Sequence, residues 1–250
     1  MIYFIGAGPG DPELITVKGQ NIVKQADVIV YAGSLVNKGI IDCRKETAEV
    51  YNSASMTLEE VIEVLSAGEA AGKLVARVHT GDPSIYGAIR EQMDILDEKG
   101  IAYEVIPGVS SFVGAAAAIK KEFTLPGVTQ TVILTRMEGR TEVPEKESLE
   151  SLAQHKASMC IFLSVHMIEE VVRRLAAHYP MTTPIAVIQK ATWEDEKIVL
   201  GTLEDIAEKV KKADIGKTAQ ILVGDFLGNN YEKSKLYDKH FSHEFRSAKE

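Results

Sequence analysis

Three short segments concentrate the residue types that hold and orient a ligand. They are Gly6-Ala7-Gly8-Pro9-Gly10-Asp11, the run from His79 through Thr80-Gly81-Asp82-Pro83-Ser84-Ile85 to Tyr86, and Pro107-Gly108-Val109-Ser110-Ser111. Glycine lets a backbone approach a ligand closely and proline stiffens the turn, while Asp11 and Asp82 supply anions that accept charge-assisted hydrogen bonds. Such a set binds and orients; it offers no nucleophile with an adjacent base. Each segment also has a plainer reading as a well-made turn, and Asp11 that of a helix-start acid.

Familiar chemistries fail on spacing. A dinucleotide fingerprint beginning at Gly6 needs glycine at position 11, where Asp11 stands, and the next strand ends in Tyr31 without a ribose-binding carboxylate. Gly216-Lys217-Thr218 resembles the end of a phosphate loop, but Lys211 occupies the place of its first glycine and a strand follows instead of a helix. No H-E-x-x-H, C-x-x-C or G-x-S-x-G motif occurs. His240 and His243 have helix spacing but no third ligand candidate, so no metal is expected. Cys43 and Cys160 are too few and too far apart for a disulfide framework, and read as small apolar residues in a reducing compartment.

The three segments each follow an apolar, β-branched run. Ile2–Gly6, Ala26–Tyr31, Leu74–His79 and Tyr103–Ile106 read as strands alternating with helical stretches, the pattern of a mostly parallel sheet covered on both faces. Ligands of open α/β sheets gather at the carboxyl ends of the strands, which is where the three segments fall. Capping boxes are expected at Thr57/Glu60 and Thr202/Asp205. After the small-residue run 114–118 the pattern breaks. A second α/β lobe with a mixed sheet follows, carrying strands at 131–135, 159–163, 185–188, 196–200 and 219–223. The expected organisation is an N-terminal lobe over 1–120, a C-terminal lobe over 121–232 and a polar tail over 233–250. Residues 136–147 read as an exposed loop or lid.

Composition bounds the rest. The chain has 250 residues, 45% of them hydrophobic and 26% charged, enough for one large or two joined α/β units without disulfide or metal staples. With 28 basic against 36 acidic residues the net charge is −8, which argues against a largely electrostatic nucleic-acid binder. No apolar run approaches the ~20 residues needed to cross a bilayer. The N-terminus reads as a strand and not a signal peptide. A cytoplasmic protein is expected, with neither nucleic-acid nor membrane partners.

The ordered set G-A-G-P-G-D at 6–11, G-D-P-S-I-Y at 81–86 and P-G-V-S-S at 107–111 resembles the tetrapyrrole methylase family. Thr182-Thr183-Pro184-Ile185-Ala186-Val187 and Gly201-Thr202-Leu203-Glu204-Asp205 extend the likeness to about residues 1–230. Val30-Tyr31-Ala32-Gly33-Ser34-Leu35-Val36 and Thr124-Leu125-Pro126-Gly127-Val128-Thr129-Gln130-Thr131 narrow it to members that methylate C11 of a corrin precursor, metal-free or cobalt-bearing. The resemblance implies S-adenosylmethionine as methyl donor, a corrin precursor as substrate, and a homodimer of two-lobed protomers with the cofactor in the cleft between lobes.

Carried over residue by residue, it implies that Gly81, Asp82 and Ile85 meet the methionine portion of the cofactor, with Ser110 and Ser111 completing that side. Leu163, where relatives often have methionine, would line the adenosine wall with Ala191 and Ala219. Pro9 borders both cofactor and substrate. Asp11, Tyr31, His79, Tyr86 and Arg136 are candidates for the tetrapyrrole trough, with Arg77 and Arg90 as further partners for substrate carboxylates. No general base is singled out. The alternatives are methylation at another tetrapyrrole position, methylation of a modified protein such as diphthine, and an interaction module without catalysis.

Overall fold

The computed structural model describes residues 1–33 and 35–248, so Ser34 of the 30–36 segment and the last two residues of the tail lie outside the described residues. The chain divides into two units, Met1–Ala115 with Lys190–Glu196, and Ala116–Gln189 with Lys197 onward.

In the first unit β1 (Ile2–Gly6), β2 (Val28–Tyr31), β3 (Glu49–Asn52), β4 (Val75–His79) and β5 (Tyr103–Ile106) form one sheet in the order β3-β2-β4-β1-β5. Every pairing in it is parallel. Period-two alternation sends Ile5, Ile29, Ala76 and Val78 to one face, where they pack with Val23 of α1 (Val17–Gln25). Ile2, Phe4, Val28, Val30 and Val75 go to the other face, against Val61, Ile62 and Leu65 of α2 (Leu58–Ala70) and Leu96 of α3 (Arg90–Glu98). With both faces covered, β1, β2 and β4 are buried almost throughout, and in β4 this includes Arg77 and His79. α4 (Ser111–Ala118) follows β5.

β3 escapes the sequence pattern because it is a mostly exposed edge strand of polar composition, Glu-Val-Tyr-Asn. The capping box at α2 forms on both sides: Thr57 N–H donates to Glu60 Oε2 at 2.7 Å and Glu60 N–H to Thr57 Oγ1 at 3.3 Å.

In the second unit β6 (Val132–Arg136), β7 (Ser158–Phe162), β8 (Pro184–Gln189), β9 (Lys197–Thr202) and β10 (Ala219–Val223) are ordered β6-β7-β10-β8-β9. Only β6 and β7 run parallel; β7/β10, β10/β8 and β8/β9 are antiparallel, so the sheet is mixed. Met159, Ile161, Ile185, Val187, Ile221 and Val223 face Leu149 of α5 (Leu149–Ala153), Val171 and Leu175 of α6 (Ile168–Leu175), and Ile206 and Val210 of α7 (Ile206–Lys212). Cys160 is fully buried, and that burial raises its thiol pKa far above the ordinary range. It is a core residue.

The second expected capping box is corrected by the structure. Asp205 Oδ1 accepts from Thr202 N–H at 2.9 Å, but Thr202 closes β9, and α7 starts after Asp205 with no side-chain cap. From Tyr231 to Ala248 the chain is mostly exposed, with one 3-10 turn at Lys235–Tyr237, and Arg246 donates to the carbonyls of Leu236 and Asp238 at 2.9 and 2.6 Å. No helix among the described residues is long and apolar enough to cross a membrane.

Candidate functional site

The parallel register brings the three glycine-bearing segments together at the carboxyl edge of the first sheet. Gly6 sits opposite His79 at the ends of β1 and β4, and the two chains stay paired one step further, Gly8 N–H donating to Gly81 O at 3.2 Å and Gly81 N–H to Gly8 O at 2.8 Å. Gly81 has φ +60, the left-handed region that glycine enters without cost. A methyl group on Gly6 would stand 2.6 Å from Gly108 Cα and from Gly81 O, and one on Gly108 2.2 Å from Gly81 O, so the three loops interlock by backbone alone.

Asp82 fastens that interlock. Its Oδ1 accepts from Ser84 N–H at 2.8 Å and from the Ser84 hydroxyl, and its Oδ2 accepts from Gly108 N–H at 2.8 Å. Partial burial pushes the carboxyl pKa up, but the Ser84 and Gly108 donors outweigh it and hold the group below the ordinary aspartate value. A carboxylate offers about four acceptor positions, so one remains for a cation. Ile85 closes the same turn, its N–H on Asp82 O at 3.2 Å. Ser110 is buried, and its carbonyl receives Val113 N–H and Gly114 N–H as α4 begins at Ser111.

The first loop is held on its other side by residues 190–196. Pro9 is buried, and its carbonyl accepts from Trp193 Nε1 at 3.0 Å. Asp11 N–H donates to Thr192 Oγ1 at 3.0 Å, while Asp11 Oδ1 caps the Pro12–Leu14 turn through Glu13 N–H at 2.9 Å. Asp11 is thus the helix-start residue of its plainer reading as well as a wall of the loop. Ala191 is buried beside it, its carbonyl 2.9 Å from where a Gly10 Cβ would lie.

Of the trough candidates, Asp11, Tyr31, His79 and Tyr86 lie at or just past the carboxyl ends of β1, β2 and β4, and Arg136 belongs to the second unit. Tyr31 is in the apolar core at the end of β2, and its carbonyl accepts from Ser53 Oγ at 3.1 Å. His79 is 4% exposed, with its ring centroid 6.0 Å from that of Phe4, and Nε2 has no hydrogen-bond partner. Burial, helped by the Arg77 charge, pushes its pKa down to about 3, so the imidazole is neutral. Arg77 is also buried, its pKa lowered to about 10 by desolvation, and its donors go to Gln92 Oε1, Val30 O and Ser53 Oγ. Gln92 in turn donates to Ala88 O at 2.8 Å. Tyr86 is 47% exposed on that turn, with Tyr86 and Ala88 both at positive φ. Arg90 is a surface residue paired with Asp94 at 2.8 Å.

In the second unit Arg136 ends β6 and spends its guanidinium on the carbonyls of Met137, Thr141 and Glu142, bracing the 137–142 loop. Leu163 follows β7 with φ +54 and is 60% exposed, an unusual state for a large apolar residue. Ala219 opens β10, whose pairing with β7 begins at Ile221 opposite Ile161, and it pairs with Gln189 of β8.

Sequence reasoning missed Trp193, Thr192 and Gln92. The signal for Trp193 was present: it is the single tryptophan of the chain, placed in a polar connection between two strands. For Gln92 the sequence carries no signal: its partner Arg77 lies on another element 15 positions away. Among the described residues no group of three or more His, Cys, Asp or Glu is placed to hold a metal ion.

An all-parallel sheet whose strand-end loops interlock around a carboxylate, joined in one chain to a mixed-sheet unit, defines a two-unit α/β protein of the class whose ligands gather at the carboxyl ends of the strands. The chain belongs to the tetrapyrrole (corrin/porphyrin) methylases, whose family model matches residues 1–207. It is 57% identical over 249 residues to the cobalt-precorrin-4 C(11)-methyltransferase of Methanocaldococcus jannaschii, covering 99% of this chain and 96% of that protein. It is 47% identical to the precorrin-4 C(11)-methyltransferase of Pseudomonas aeruginosa, with 98% of each covered. The crystal structure of a cobalt precorrin-4 methyltransferase described as a cobalamin biosynthetic enzyme superposes with a TM-score of 0.89 at 49% identity, covering 91% of this chain and 96% of that one.

Proposed function

We propose that this protein methylates C11 of precorrin-4 or its cobalt-bearing counterpart in cobalamin biosynthesis, with S-adenosylmethionine as donor. The observation that carries the reading is likeness over nearly the full length of both chains to relatives bearing that activity's name, 57% in one case. The interlocked loops supply a physical basis.

S-adenosylmethionine, when bound, supplies an electrophilic methyl on a sulfonium centre. The donor set of the first unit fits such a group. Asp82 keeps an acceptor position for the ammonium, Gly81 exposes backbone at its left-handed turn, and Ile85, Ser110, Ser111, Pro9 and Ala191 are the further candidates there. Leu163, just past β7, and Ala219, at the start of β10, offer apolar surface for an adenosine. Because an extended conjugated carbon nucleophile needs no activated serine or cysteine, the chain's contribution is alignment and exclusion of water. Tyr86, Asp11 and Arg136 are the trough candidates with exposed or half-buried side chains. Tyr31 and His79 are buried at the ends of β2 and β4, and Arg136 braces its own loop. A homodimer in the cytoplasm completes the proposal.

The test is incubation with S-adenosylmethionine and either metal-free or cobalt-bearing precorrin-4 under oxygen-controlled conditions, read by mass spectrometry and position-resolved NMR. One added methyl at C11 is expected, and the preferred substrate identifies the cobalamin route. A methyl at another carbon refutes the C11 assignment while keeping the chemistry. No transfer by folded protein refutes both.

A further inference from the structure

The connection between β8 and β9, Lys190–Glu196, is built with a specificity its hairpin does not need. Lys190 and Thr192 both sit in the left-handed region, φ 50 and φ 71, and a β-branched threonine persists there only when its surroundings impose it. Glu196 Oε2 accepts from Thr192 N–H at 2.7 Å, and Lys190 pairs with Asp195 while its ammonium lies 5.6 Å over the Trp193 ring. This local frame fixes two side chains that grip the first loop on either side of Gly10. Trp193 Nε1 holds Pro9 O, and Thr192 Oγ1 holds Asp11 N–H, each at 3.0 Å.

Gly10 itself is caged. Its carbonyl accepts from Asn37 Nδ2 at 2.9 Å, and a Cβ on it would fall 2.0 Å from Trp193 Cδ1 and 2.3 Å from Nε1. From the helix side, a Cβ on Gly114 would meet Pro9 Cβ at 2.9 Å and Thr192 Cγ2 at 3.4 Å. The loop so clamped leaves the carboxyl end of β1, the edge where open α/β sheets bind ligands.

We infer that Trp193, assisted by Thr192, is a positioning residue for the methyl transfer: its indole fixes the Pro9–Gly10–Asp11 backbone so that the bound tetrapyrrole presents one carbon to the methyl donor. The inference rests on the proposed function and adds to it the element that sets the alignment. Trp193 acts without touching the reacting atoms. Its effect passes through the loop, and a misplacement of about 1 Å is enough to cost on the order of a hundredfold in rate.

Trp193→Phe keeps the ring and removes the N–H. Two measurements on this folded variant test the clamp and the reaction separately. Hydrogen exchange of peptides spanning 8–13 is expected to rise with the rest of the first unit unchanged. The kcat for methyl transfer is expected to fall about tenfold, while S-adenosylhomocysteine affinity stays within about twofold of wild type. Gly10→Ala is expected to lose more than about tenfold because its Cβ strikes the indole. Unchanged exchange at 8–13 overturns the clamp. Raised exchange with wild-type kcat and tetrapyrrole KM overturns the positioning role. Wild-type protein that methylates neither form of precorrin-4 refutes the function and the positioning role with it, and the exchange result still judges the clamp.

Discussion

Asp82 carries its charge in a half-buried turn where three protein donors already use it, and this decides what its removal does. Hydrogen bonds to a charged group contribute about 1.5–3 kcal/mol when shielded, and partial exposure lowers that, so Asp82→Ala should destabilise the first unit by about 1–2 kcal/mol at neutral pH. The sign with pH follows from the direction of the shift. The folded pKa lies below the ordinary value of 3.8, so the contribution is complete above that value and is lost as pH falls through the folded pKa. Urea titrations of both proteins at pH 7, 5 and 3 should show the gap constant over the first two and closing at the third. An unchanged gap at pH 3 would mean that the carboxylate's ionisation plays no part in the clasp. At this scale the sequence singles out Asp82 as an anion in a turn but does not show its bond to Gly108, because that N–H comes from a loop 26 positions away and only the parallel register brings it within reach.

Elements were legible where periodicity and chemistry agreed, and less so where one was missing. Apolar runs located every buried strand, and at Leu163 the expected strand stopped one residue short because φ turns positive after Phe162. The edge strand β3 has no apolar face to announce it. The two threonine–acid pairs make the same point about helix starts: S/T-x-x-D/E spacing is necessary for a reciprocal cap but does not fix where the helix begins. Thr57 donates its backbone to Glu60 and accepts with its hydroxyl, so Thr57→Ala should cost about 1 kcal/mol. Thr202 contributes only its backbone N–H to Asp205, so Thr202→Ala should stay within about 0.5 kcal/mol. Equal losses in parallel thermal denaturation would contradict this assignment.

For the whole chain, the alternation of strands and helices gave the two-sheet class, and the mixture of parallel and antiparallel pairing in the second sheet followed the expectation. What the linear order conceals is the membership of Lys190–Glu196 in the first unit, since hydrophobic pattern carries no information about which core a polar connection joins. That membership also gives the acid response a local probe, because the single tryptophan, Trp193, lies in the unit that contains His79. His79 has a folded pKa of about 3 against an ordinary 6.5. Its neutral form is the folded one. The unfolded chain therefore binds one more proton between those values, and stability that is complete above pH 6.5 is lost as pH falls towards 3. One such proton corresponds to a slope of at most about 1.4 kcal/mol per pH unit. His79→Leu fills the same apolar site without a titrating group, so tryptophan-monitored urea unfolding should show a shallower fall over that window by up to this amount. Superimposable slopes would mean that His79 is charged in the folded protein and that its burial beside Arg77 is offset by a counter-charge.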